Sequence, residues 1–110
     1  EVIAMITDSQ NRLWVAFFNK GLKCFSRTGE LLASYTTHNS SLNNNIILSM
    51  AEREGHLWLG TDGGGINILN LQTGQLTLLE YIPGEDNYSL PANSILSLYN
   101  DKNNNNDNDK

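Results

Sequence analysis

Three short stretches of this 110-residue chain hold side chains that could do chemistry. In "HLWLGTDGGG" (residues 56–65) Asp62 precedes three consecutive glycines, so a carboxylate and bare backbone N–H groups stand together. Such a turn could cradle a phosphate or carry an acid. In "SLNNNII" (41–47) Asn43, Asn44 and Asn45 offer amides that both donate and accept, which suits sugar hydroxyls. The last ten residues, "DKNNNNDNDK", space oxygen ligands somewhat as a calcium loop does. Trp14, Trp58, His38, His56, Cys24, Ser49 and Ser97 complete the set.

Most of these chemistries fail on spacing. A phosphate loop needs GxxxxGK[ST] and a following helix; here no lysine follows the glycines and the next residues, "INILNL", read as a strand. The glycines read instead as a turn that needs positive φ, which glycine adopts without steric cost. His38 and His56 have no second His or Cys at metal spacing and read as surface residues, so no metal site is expected. The tail lacks the central Gly and terminal Glu of a calcium loop and reads as a polar, disordered end. Ser49 and Ser97 have neither a G-x-S-x-G elbow nor a neighbouring His.

The elements that position these residues come from a repeat. With Trp14 placed over Trp58, Ile3 falls on Ile47, Leu13 on Leu57 and Gly21 on Gly65, an offset of 44. "SLPANSILSL" (89–98) then echoes "SLNNNIILSM" (41–50), with six identities. Within each repeat, short β-prone runs alternate with turn residues. Strands are expected at 2–8, 12–18, 21–27 and 30–36, and again at 46–52, 56–61, 65–71 and 75–82. The turns fall at Gln10-Asn11, Asn19-Lys20, Thr28-Gly29, Glu54-Gly55, residues 62–64 and residues 72–74. The inner strands are apolar on both faces: Ile46, Leu48 and Met50 are expected to point one way and Ile47 the other. Burial on both faces implies stacked sheets. Four-stranded units of this length, stacked face to face, are the pattern of β-propeller blades.

The fold expected is therefore all-β: two four-stranded antiparallel blades plus the first strand of a third, a fragment of a larger propeller. The first blade with its connector spans 1–41 and the second 42–89. The first strand of the third spans 90–102, and the polar tail 103–110. Trp14 and Trp58, at one repeat phase, read as packing wedges between blades. Cys24 falls opposite Ile68 and reads as a small buried apolar residue. Asp62 falls opposite Phe18, so no carboxylate recurs at its phase; its plainer role is a turn aspartate bonding its own backbone. No catalytic residue and no cofactor are expected.

Composition narrows the partners. The formal net charge is −5, with 7 Lys and Arg against 12 Asp and Glu. No basic patch is present to neutralise phosphates, so nucleic acid is not an expected partner. No apolar run approaches the roughly 18–20 residues of a membrane span, so no direct membrane contact is expected in this segment. A single cysteine excludes an internal disulfide.

The run from Asn45 through "LWLGTDGGG" to Thr73-Gly74 resembles the two-component regulator propeller repeat. The first repeat is degenerate, with Ala16-Phe17 in place of Gly-Thr and Asn19-Lys20-Gly21 in place of three glycines. The resemblance implies a non-catalytic sensor module, part of the periplasmic propeller of a hybrid two-component histidine kinase that responds to glycan oligosaccharides. It implies that the oligosaccharide binds in the context of the full receptor, on loops at one face of the ring. Asn43, Asn44 and Asp62 are the candidate ligand-binding residues. The alternative expectation is a structural or protein-interaction fragment, completed by further blades or by self-association through exposed blade faces.

Overall fold

A computed structural model describes residues 1–79. Eight strands form two sheets. The first holds β1 (Val2–Thr7), β2 (Leu13–Phe17), β3 (Gly21–Phe25) and β4 (Leu31–Tyr35). The second holds β5 (Ile47–Arg53), β6 (His56–Thr61), β7 (Ile66–Asn70) and β8 (Leu76–Leu79). Each sheet is an antiparallel meander in chain order. These are the two four-stranded blades expected. The third-repeat strand, the tail and the end of the eighth expected strand lie outside the described residues.

Local sequence explains the meander. Glu54 and Gly55 both take positive φ (48° and 79°) between the paired Arg53 and His56. Two left-handed residues make the two-residue turn whose twist matches paired strands. The corresponding turn of the first blade is longer. Asp8 Oδ1 accepts the amides of Gln10 (2.8 Å) and Arg12 (3.0 Å), and Asn11 takes φ 63°. Asparagine tolerates that conformation better than most side chains.

The blades meet through one apolar face each. From the first come Trp14, Ala16, Leu22 and Cys24; from the second come Ile47, Met50, Leu57, Leu59, Leu69 and Leu76. Leu42, from the connector, is sealed among them. Cross-strand register sets these faces: Trp14 lies opposite Cys24 and Ala16 opposite Leu22, while Leu57 and Leu76 both flank Leu69. The inner strands β1 and β5 lie side by side. Trp14 is 3% exposed and stacks on Tyr35, with centroids 6.2 Å apart. It is thus the wedge its repeat phase suggested.

Two expectations need correction. The alternation expected along 46–50 is broken, because the β5–β6 register shifts between Ile47 and Ser49. The bulge lets Ile47 and Met50 enter the same interface and leaves Leu48 exposed. The three glycines also differ in purpose. Gly63 (φ 100°) and Gly65 (φ 74°) take left-handed backbone, but Gly64 does not. A Cβ at Gly64 would collide with Asn43 Oδ1 and stand 2.9 Å from both Asn44 Cβ and Thr61 Oγ1. Gly64 is needed for close approach, not for φ.

Candidate functional site

Successive hairpin turns alternate between two ends of the blades. The β2–β3 and β6–β7 turns share one end with the β4–β5 connector. The β1–β2, β3–β4, β5–β6 and β7–β8 turns share the other.

The connector end holds all three candidate ligand-binding residues, and the structure brings them together. Thr61 closes the β6–β7 turn: its Oγ1 donates to Gly65 O (2.7 Å) and accepts from Gly64 N (2.9 Å). The connector clamps that turn from above. Asn43 Nδ2 donates to Gly64 O (2.9 Å), and its Oδ1 accepts from Asn67 Nδ2 (2.9 Å). Asn44 Nδ2 donates to Asp62 O (2.8 Å), and its Oδ1 accepts the Ile46 amide (2.8 Å). Asp62 N in turn donates to Ile46 O (3.0 Å). Asn45 reaches the first blade: its carbonyl accepts Gly21 N (3.0 Å) while its amide pairs with Thr37. Asn43 and Asn44 therefore both tie down the β6–β7 turn, while the Asn45 amide holds the connector to itself.

Chemically, this leaves little of the asparagine amides for a ligand. Asn43 and Asn44 each use their oxygen and one N–H within the chain, and one N–H of each Nδ2 is left over. Asn43 is exposed and Asn44 half-buried. Asp62 differs. Its side chain is exposed, and its carboxylate has no hydrogen-bond partner among the described residues, so it does not cap its own turn as expected.

The opposite end is built around a feature the sequence reading missed. Asp8, 4% exposed, accepts four hydrogen bonds. Besides the two backbone amides, Oδ2 takes Trp14 Nε1 (2.8 Å) and Arg12 Nε (2.8 Å). Burial pushes its carboxyl up, but the bonds from Trp14, the two amides and Arg12 outweigh burial and hold it below its ordinary value. Arg12 also lies over the Trp14 ring, with Cζ 5.8 Å from the centroid. A D-x-x-x-R-x-W spacing was the available signal. Ser9 supplies a second link, because its N (2.8 Å) and Oγ (2.7 Å) both donate to the Glu52 carboxylate of the other blade. No local pattern announces that bond across 43 residues.

Two clefts flank this end. A polar one of about 340 Å³ lies where three turns converge, lined by Gln10, Glu52, Glu54, His56, Asn70 and Gln72 among others. Another, of about 460 Å³, runs over the outer face of the second blade along Arg53, Glu54, His56, Trp58, Ile68 and Thr77. Half-buried His56 borders both, its Nδ1 3.0 Å from Glu54 O. Arg53 covers the Trp58 ring as Arg12 covers that of Trp14, with Cζ 5.6 Å from the centroid. Among the described residues, no group of three or more His, Cys, Asp or Glu could hold a metal ion. Burial pushes the Cys24 thiol up, which fits its place in the apolar interface.

Residues 41–63 match the family described as two component regulator propeller. That match overlaps the stretch whose motifs carried the resemblance, and it contains Asn43, Asn44 and Asp62. No curated protein matches the chain. Among solved structures, the chain is similar to the extracellular domain of the hybrid two component system BT3049 from B. thetaiotaomicron. The TM-score is 0.61 at 21% identity, over 79% of this chain and 12% of that one. At that identity the likeness is one of fold. The family match covers part of the second repeat, and the two sheets are blades of a propeller.

Proposed function

We propose that this chain is part of a non-catalytic, ligand-sensing β-propeller of a hybrid two-component system. We place it outside the cytoplasm, in the periplasmic region of a membrane-anchored receptor. The observation that carries this reading is the regulator propeller match at 41–63 on a fold shared with an extracellular domain of such a system. We infer further that the ligand is a glycan oligosaccharide bound at the connector end. There the Asp62 carboxylate is exposed without a partner among the described residues, and Asn43 keeps an N–H for a hydroxyl. Asn44 serves mainly to position Asp62, through its bond to the Asp62 carbonyl.

The test is calorimetric titration of an oligosaccharide panel into the parent receptor, its Asp62→Asn variant and its Asn44→Ala variant. One oligosaccharide should bind, Asp62→Asn should weaken it about tenfold or more, and Asn44→Ala should weaken it less. Binding unchanged in Asp62→Asn would remove the connector end from the site.

A second reading, a structural or protein-interaction module, draws support from the exposed apolar side chains Met5, Leu31 and Leu32 on the first blade. In that reading copies associate through exposed blade faces, and light scattering across a dilution series should find an oligomer. A monomer at every concentration rejects it.

A further inference from the structure

The exposed large apolar side chains of the described residues lie on strands, where a neighbouring sheet can cover them, with one exception. Phe18, 54% exposed, stands in the β2–β3 turn at the connector end. Lys20 N donates to Phe17 O (3.0 Å) and closes that turn, leaving Phe18 and Asn19 at its tip, with Asn19 at φ 57°. Turn tips favour Gly, Pro, Asn, Asp and Ser. An aromatic ring there holds apolar faces in water, which is unfavourable. Sheets stack on the faces of blades and not on their ends, so sheet packing does not account for this ring.

Phe18 is the counterpart of Asp62 in the repeat, and the connector holds both turns. Two consecutive carbonyls do so: Asn45 O accepts Gly21 N and Ile46 O accepts Asp62 N, each at 3.0 Å. Adjacent residues lie about 3.8 Å apart at Cα, so the two amides are within about 11 Å of one another. The turns thus stand side by side. One carries an exposed aromatic ring, the other an exposed carboxylate with no partner among the described residues.

We propose that Phe18 is the stacking platform of the connector-end site and that its ligand is a neutral pyranose. The inference rests on the proposed sensing role and adds to it a specificity-determining residue and the class of sugar. A pyranose ring has an apolar face of C–H groups and a rim of hydroxyls. The face covers the Phe18 ring, and a rim hydroxyl donates to Asp62, which joins an apolar surface to a few placed polar groups as small-molecule sites do. Exposed Lys20 on the first turn and Asp62 on the second are opposite in charge, which favours a neutral sugar over a uronate.

The test titrates neutral di- to tetrasaccharides of glucose, galactose and mannose, with a uronate-containing disaccharide beside them, into the parent receptor and its variants. A neutral member should bind in preference to the uronate. Phe18→Leu should weaken it about tenfold, and Phe18→Tyr should stay within about twofold. Proton NMR of the bound sugar gives a readout that a merely structural role would not move. Ring C–H signals should shift upfield through the aromatic ring current, keep that shift in Phe18→Tyr and lose it in Phe18→Leu. Binding that Asp62→Asn weakens but Phe18→Leu leaves unchanged overturns the stacking role and leaves the connector-end site standing. Preference for the uronate overturns the ligand class. Binding unchanged in both variants, or no binding by any sugar, overturns the connector-end site and this inference with it.

Discussion

The indole Nε1–H of Trp14 donates to Asp8 Oδ2 at 2.8 Å, and both residues are buried. The aspartate holds the wedge of the inter-blade core by its polar edge, while Tyr35 stacks on its face. Replacing Asp8 with Asn removes charge from bonds donated by Trp14 and Arg12. A loss of about 2 kcal/mol is expected, from the usual strength of hydrogen bonds to charged groups. Urea unfolding of the two proteins measures it.

The same carboxylate makes stability depend on acid. Its folded value lies below its ordinary one, so its contribution is fully present above the ordinary carboxylate range. It is lost as pH falls through the folded value. The stability gap between the native chain and Asp8→Asn should therefore close on acidification from neutral pH. A gap that stays constant in an acid titration contradicts this assignment.

Gly63 and Gly64 should respond differently to alanine. Gly63→Ala places a Cβ in open space but at φ 100°, and should cost about 1 kcal/mol or somewhat more. Gly64→Ala drives the new Cβ into Asn43 and Asn44. A double-mutant cycle with Asn43→Ala should show coupling of about 1 kcal/mol for Gly64 and close to none for Gly63.

The Ser9–Glu52 link crosses the blade boundary at the surface. Glu52→Ala is expected to cost no more than about 1 kcal/mol, because water competes for both partners. Combined with Ser9→Ala, the loss should be less than the sum of the two single losses. Strict additivity in denaturant would show that the link contributes nothing.

Cys24 should resist alkylation. It is buried, and burial pushes its thiol up, so little thiolate forms at mildly alkaline pH. Reaction with iodoacetamide at pH 8 should be slow in the folded chain and fast in urea, as mass spectrometry would record.

Strands and turns were legible in the sequence where short-range chemistry sets them. Glu54-Gly55, Asn11 and Gly63 each impose a local backbone bend, and the Trp14–Trp58 spacing placed the blades in phase. The bulge at Ile47–Ser49 was not legible, because it depends on how β5 pairs with β6. Nor was the engagement of Asn43 and Asn44. As residue types they suit a sugar, yet their oxygens and one N–H each go to Asn67, Gly64, Ile46 and Asp62.

By itself, then, the sequence determined the repeat, the strand class and the phase of the tryptophans, because periodicity and turn propensity act over a few residues. Only the tertiary structure decided which polar groups remain free. Asp8 and Ser9 find partners in Trp14 and Glu52, while Asp62 keeps its carboxylate unpaired among the described residues. Hydrogen-bond partnership is settled by which chains are brought within about 3 Å of one another, and that distance is a property of packed sheets rather than of residue order.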